Sequence, residues 1–172
     1  VANIDPKVDH AGKPYQNGDI WATDKKVIVI GGGDTGADCV GTSNRHGAVS
    51  VTQIELMPKP PESKNETTPW PNWPMILRTS TSHEEGCDRH WSITTKEFVG
   101  NDKGELTGLK IAKMGWLDAE AGKLPKYAEL PGTEEVIPCD LALLAVGFLH
   151  PQHAGMLNDL GVEYDERGNV KA

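Results

Sequence analysis

The chain has 172 residues, a formal net charge of −8 and no basic cluster, which argues against nucleic acid and anionic membranes as partners. Its length suits one core with extensions, not two full domains. No apolar run approaches the roughly 20 residues that span a bilayer, no secretory signal opens the sequence, and Cys39, Cys87 and Cys139 lie far apart, as suits reduced thiols in a cytoplasmic protein without zinc or another metal.

Residues 1–24 are polar, rich in Pro, Gly, Asp and Asn, and without sustained period; they read as an irregular lead-in. The domain proper begins near Lys25. Val27 to Ile30 is a run of β-branched residues, suited to a parallel strand buried on both faces. Gly31, Gly33 and Gly36, with Gly32 between, then fall at the spacing G-x-G-x-x-G. Gly31 allows the tight turn, Gly33 lets backbone approach a pyrophosphate, and Gly36 lets a helix pack close to the sheet. That helix turns unpaired amides and the positive end of its dipole toward the phosphates. Asp34 and Thr35, at its start, can cap donors and shape the turn, and Gly47 closes it after Arg45 and His46.

A glycine turn alone is a weak signal. Here a strand precedes it, a helix follows, and a second strand runs from Ser50 to Leu56. Glu55 in that strand stands about 20 residues past the glycines, where an acidic group meets an adenosine ribose. The residues therefore read as a dinucleotide site.

Met57 to Pro74 is a long loop, because its prolines forbid regular helix or central strand. Trp70 and Trp73 within it could line a nicotinamide or adenine pocket, but pinning the loop to the domain is the simpler reading. A short helix is expected within Met75–Cys87. His83, beside Glu84 and Glu85, reads as a solvated charged turn, since no second ligand cluster accompanies it. Trp91 to Val99 alternates as a strand, Asn101 to Gly104 turns, Leu106 to Met114 alternates again, Asp118 to Lys123 turns, and Lys126 to Leu130 makes a third strand. These form a three-stranded antiparallel meander, with Met114 and Trp116 as packing residues. Leu141 to Val146 then returns to the main sheet as a fully apolar strand, ending at Gly147, which should lie near Gly31 to Gly36. His153 to Leu160 reads as a short helix, and 161–172 as a hairpin turning at Asp165 to Gly168. The fold class is α/β: a Rossmann-like, three-layer ββα nucleotide-binding domain whose parallel sheet carries the meander.

The run Gly31 to Thr42, followed by Arg45-His46-Gly47-Ala48, resembles the NAD(P)H-binding domain of the glutamate synthase small (beta) subunit family. Gln53 to Glu62, Pro69 to Pro74, His83-Glu84-Glu85 and Leu143 to Phe148 continue the resemblance, which covers most of residues 25–170. It implies an oxidoreductase in which NAD(P)H passes hydride to FAD, and electrons travel through iron–sulfur clusters to a large subunit that makes glutamate. In that family the NAD(P)H domain is inserted into the FAD domain. This sequence has one glycine fingerprint and no cysteine-rich segment, so it is expected to be a segment of such a protein, inactive alone. Residues 25–161 would be the NAD(P)H-binding domain; residues 1–24 and 162–172 would be stubs of the FAD domain.

The resemblance makes Gly147 a surface for the nicotinamide and names no catalytic acid, base or nucleophile here. Glu55 alone favours NADH, since it can accept from both ribose hydroxyls and would repel a 2′-phosphate. Lys59 or Lys64 could capture that phosphate instead, which keeps NADPH open. Two other readings stay open: an NAD(P)-binding regulatory module without redox turnover, and a subunit-docking scaffold.

Overall fold

A computed structural model describes residues 20–63, 70–71, 76–117 and 126–171. Its eight strands are β1 (Lys26–Ile30), β2 (Ser50–Glu55), β3 (Asp88–Trp91), β4 (Ile93–Gly100), β5 (Leu106–Leu117), β6 (Lys126–Glu129), β7 (Glu135–Pro138) and β8 (Leu141–Leu144). The helices are α1 (Asp34–Arg45) and the single turns α2 (Thr81–Glu84) and α3 (Met156–Asp159).

β3, β2, β1 and β8 form a parallel sheet in that order. β5 carries the second sheet, antiparallel, with β4 along one edge and β6 and β7 sharing the other. Alternation along β1 sends Val27 and Val29 to one side, where they pack with Val40 of α1, Val51 and Ala22. Ile28 goes to the other side and meets Ile54, Leu109, Ile111 and Cys139. The parallel sheet is thus sandwiched between α1 and the antiparallel sheet: three layers, ββα. Each of these valines and isoleucines contributes about 1.5–3 kcal/mol through burial.

Several expectations need correction. The strand expected at 91–99 is two strands, broken at Ser92, whose φ is +59°. The break sends Asp88–Trp91 to the parallel sheet as its edge and Ile93–Gly100 to the antiparallel one. The meander also gains β7, which pairs with the first half of β5. The strand expected to Val146 stops at Leu144 and, as a sheet edge, is only half covered; Leu144 and Val146 are 65% and 70% exposed. Among the described residues of 75–87 only one turn is helical, as within 153–160. The terminal hairpin reduces to a single bridge, Tyr164 to Val170, around its turn. Trp70 is 92% exposed and pins nothing, while Trp73 and the turn at 118–123 lie outside the described residues. Trp116, expected as core or edge packing, is an exposed edge residue that packs on Tyr127, ring centroids 5.2 Å apart, and the Tyr127 hydroxyl donates to the Leu56 carbonyl at 3.0 Å. Of the lead-in, residues 20–24 are described, and Ala22 among them is core.

Candidate functional site

The turn between β1 and α1 is braced on three sides. Gly31 has φ +122°, and its N–H donates to the Ile54 carbonyl at 2.9 Å. A Cβ there would meet the Ala145 carbonyl oxygen at 2.2 Å. Beneath the turn lies Gly36, in the first turn of α1, where a Cβ would come within 2.3 Å of the Gly31 oxygen. Gln53, buried on β2, donates from Nε2 to that same oxygen at 2.9 Å. Gly33 differs from its neighbours: a Cβ there would meet nothing within 4 Å. It is the N-cap of α1, it is exposed, and no side-chain cap bond satisfies the helix start. Asp34 and Thr35 are exposed beside it and, contrary to expectation, supply no such cap. The amides of the first turn therefore face open space, an arrangement suited to an anion.

Glu55 ends β2 against this turn. Its Oε2 accepts from the Gly32 N–H at 2.6 Å and its Oε1 from the Met57 N–H at 3.1 Å. A cleft of about 340 Å³ opens there, walled by Gly32, Gly33, Glu55, Pro58, Arg78, Arg89 and Trp91. On the opposite face of the sheet, Gly31, Glu55, Val146 and Thr95 line a smaller one of about 230 Å³. The Ala145 N–H donates to the Ile30 carbonyl at 2.8 Å, so Gly147, just beyond, shares the sheet edge with the glycine turn. Lys59 is not among the walls of the first cleft: its Nζ pairs with Glu62 at 3.0 Å and lies 5.5 Å from the Trp91 ring centroid. Lys64 lies outside the described residues.

A larger cavity, about 510 Å³, separates the two sheets. Its walls include Lys26 and Ser50, at the starts of β1 and β2, so it lies away from the glycine turn. We assign it no role in the site. No group of His, Cys, Asp or Glu among the described residues is placed to hold a metal ion.

An open glycine turn at the carboxyl edge of a parallel sheet, with an acidic residue closing β2, is the architecture that holds dinucleotides. The sequence pattern of the pyridine nucleotide-disulphide oxidoreductases matches residues 5–172. The chain belongs to this family. It is 46% identical over 99% of its length to a glutamate synthase [NADPH] small chain from Mycobacterium tuberculosis, of which it covers 33%. It is 43% identical over 85% of its length to a glutamate synthase [NADH] from Saccharomyces cerevisiae, covering 7% of that protein. The chain thus spans about a third or less of the relatives it matches. A solved ferredoxin reductase from Rhodopseudomonas palustris superposes with a TM-score of 0.46 and 19% identity, covering 83% of this chain and 28% of that one.

Although the family takes its name partly from disulphide chemistry, Cys39, Cys87 and Cys139 are all free thiols. Burial raises the pKa of each, which holds them protonated and poorly nucleophilic.

Sequence reading missed the support behind the turn. His83 is not a solvated residue: its ring is half-buried and links the start of α2 to the glycine turn. The Ser80 N–H donates to His83 Nδ1 at 3.1 Å, so the proton sits on Nε2, which donates to Gln53 Oε1 at 3.0 Å. Gln53 in turn holds the Gly31 oxygen. Protonating Nδ1 would set donor against donor at Ser80. Burial, then the nearby Arg89 cation, lower the His83 pKa, and burial and Arg45 do the same for His46. The folded state thus binds these protons more weakly than the unfolded chain does. Their contribution is complete above the ordinary histidine range, about pH 6.5, and is lost as pH falls through and below it. Melting curves from pH 8 to pH 5 are expected to show that loss, and His83→Gln to melt lower at pH 8 with a flatter pH dependence. An unaltered pH dependence in the variant would remove His83 from this role.

Arg89 and Trp91, as walls of the cleft, were also missed. The signal was there: Arg89 stands opposite Gln53 and Trp91 opposite Glu55 in the β2–β3 register. It becomes readable only once Asp88–Trp91 is separated from the strand that follows.

Proposed function

We propose that this chain binds NADH or NADPH across its glycine turn and presents the nicotinamide to the flavin of a glutamate synthase small subunit-like protein. The observation that carries the reading is the open position at Gly33, backed by closed ones at Gly31 and Gly36. The cradle is empty of protein where a pyrophosphate would lie and rigid where it would not. In this reading the turn formed by Gly31, Gly32, Gly33, Asp34, Thr35 and Gly36 takes the pyrophosphate, and Glu55 accepts from the adenosine ribose. Gly147 supplies bare backbone to the nicotinamide, while Lys59 and Lys64, which follow β2 in the sequence, are the candidate contacts for the adenosine end. The bound nicotinamide supplies the hydride; this chain grips and orients it.

Residues 25–161 form the binding unit, and residues 1–24 and 162–172 flank it. The FAD domain of the same parent chain is the proposed partner. Its support is an apolar patch at the end of β8, where Phe148 and Leu149 are 93% and 91% exposed beyond Leu144 and Val146. The three cysteines are partly or fully buried at separate places, Cys39 on α1 and Cys87 and Cys139 in the loops before β3 and β8, and do not fit an iron–sulfur cluster. FAD, iron–sulfur clusters and contact with a glutamate synthase large subunit, leading to glutamate synthesis in the cytoplasm, are accordingly proposed for the complete parent protein.

Titration calorimetry of the chain with NADH and NADPH tests the reading. Saturable one-to-one binding of at least one of them is expected. Binding of neither would sink it and favour a docking role.

A further inference from the structure

We propose that Arg89 is the residue through which this chain recognises the 2′-phosphate of NADPH, in the cleft between the phosphate turn and β3; the proposal rests on the dinucleotide reading above. In a site of this architecture the pyrophosphate lies on the glycine turn and the adenosine ribose reaches the end of β2. The next strand outward is β3. Side-chain alternation puts Arg89 and Trp91 on the same face as their register partners Gln53 and Glu55, and both wall the cleft beside Gly32, Gly33 and Glu55.

The guanidinium is held in place by neutral groups. Its Nη1 donates to the Arg78 carbonyl at 3.0 Å and lies 3.4 Å from Thr79 Oγ1. Its Cζ lies over the Trp91 ring, 5.1 Å from the centroid. Its Nε is buried without a hydrogen-bond partner. No carboxylate among the described residues pairs with it, although Arg45, Lys59, Lys96 and Lys110 all have one. Burial lowers its pKa, so the cation is poorly compensated as it stands. A positioned guanidinium without a counter-ion, beside an anion-binding turn, matches the fork geometry of a phosphate monoester.

Two of the groups that the sequence offered for this choice, Lys59 and Glu55, are otherwise engaged, and Lys64 lies outside the described residues. Lys59 is already paired with Glu62. Both Glu55 oxygens accept main-chain N–H groups, which spread its charge and reduce the repulsion a bare carboxylate would exert on a 2′-phosphate.

The test uses the full 172-residue chain, titrated with NADPH, NADH, 2′-AMP and 5′-AMP. Wild type is expected to bind both dinucleotides, and 2′-AMP more tightly than 5′-AMP. Arg89→Gln should lose about 10- to 100-fold in affinity for NADPH and 2′-AMP, the value of a hydrogen-bonded charge. Its affinity for NADH should stay unchanged, which also shows that the variant is folded. Arg89→Lys, keeping charge but not the fork, should recover part of the loss. Equal losses for NADH and NADPH would mean that Arg89 meets the pyrophosphate or merely braces Arg78 and Thr79, and would overturn the proposal. Unchanged NADPH affinity in Arg89→Gln would overturn it too, with the dinucleotide reading intact. A wild type that binds neither dinucleotide would instead remove that underlying reading, and this proposal with it.

Discussion

Gly33→Val is expected to abolish nucleotide binding in a chain that still folds. A Cβ at Gly33 meets no protein atom within 4 Å, and its backbone, at φ −82° and ψ −171°, is extended and open to any residue. The fold should therefore lose no more than about 1 kcal/mol, chiefly from a poorer N-cap. The branched side chain would instead fill the space in front of the α1 amides. Excluding a pyrophosphate from those donors removes several charge-assisted hydrogen bonds at once, so affinity should fall by at least about 100-fold. Calorimetry on a variant whose melting curve matches wild type decides the matter. Retained affinity in that variant would move the pyrophosphate elsewhere.

Gly36→Ala should do the reverse. Its methyl group would lie 2.3 Å from the Gly31 oxygen and 2.7 Å from Gln53 Nε2. The oxygen belongs to main chain braced by Ile54, Ala145 and Gln53, so it cannot yield without moving the turn. Overpacking together with a lost buried hydrogen bond should cost about 2–4 kcal/mol. In a domain of this size that lowers Tm by roughly 5–15 °C. The paired substitutions separate a glycine kept for packing from one kept for a ligand. A stable Gly36→Ala chain would show that α1 can slide away from the sheet.

The stretch from Val27 to Glu55 was legible because its structure is decided locally. A β-branched run, a glycine turn, a helix closed by Gly47 and a second strand each carry their own signal, and the structure places them as the sequence reads them. The three-layer arrangement was legible from the alternating meander that lies between the two apolar strands in the sequence. The break at Ser92 was not, because alternation runs through it unchanged; only the need for one half to join β2 and the other to join β5 forces the positive φ. β7 was hidden by its brevity and by Pro138, and it exists because β5 is long enough to pair with β6 and β7 along one edge. His83 looked exposed because its neighbours are charged; its burial comes from Gln53, a residue thirty positions earlier in the chain.

The glycine turn also owes its shape to a partner far along the chain. Gly31 lies against the Ala145 carbonyl, and the Ile30 oxygen is taken by the Ala145 N–H. Both belong to the segment that follows β8, the last strand of the sheet to be synthesised. Local pieces such as α1 can form early, but closing β8 onto β1 must first overcome the entropy of a very long loop. A ribosome therefore exposes the fingerprint long before the fingerprint can grip. On the proposed reading, a nucleotide would therefore meet a sheet that has already closed and would not template the early stages of folding.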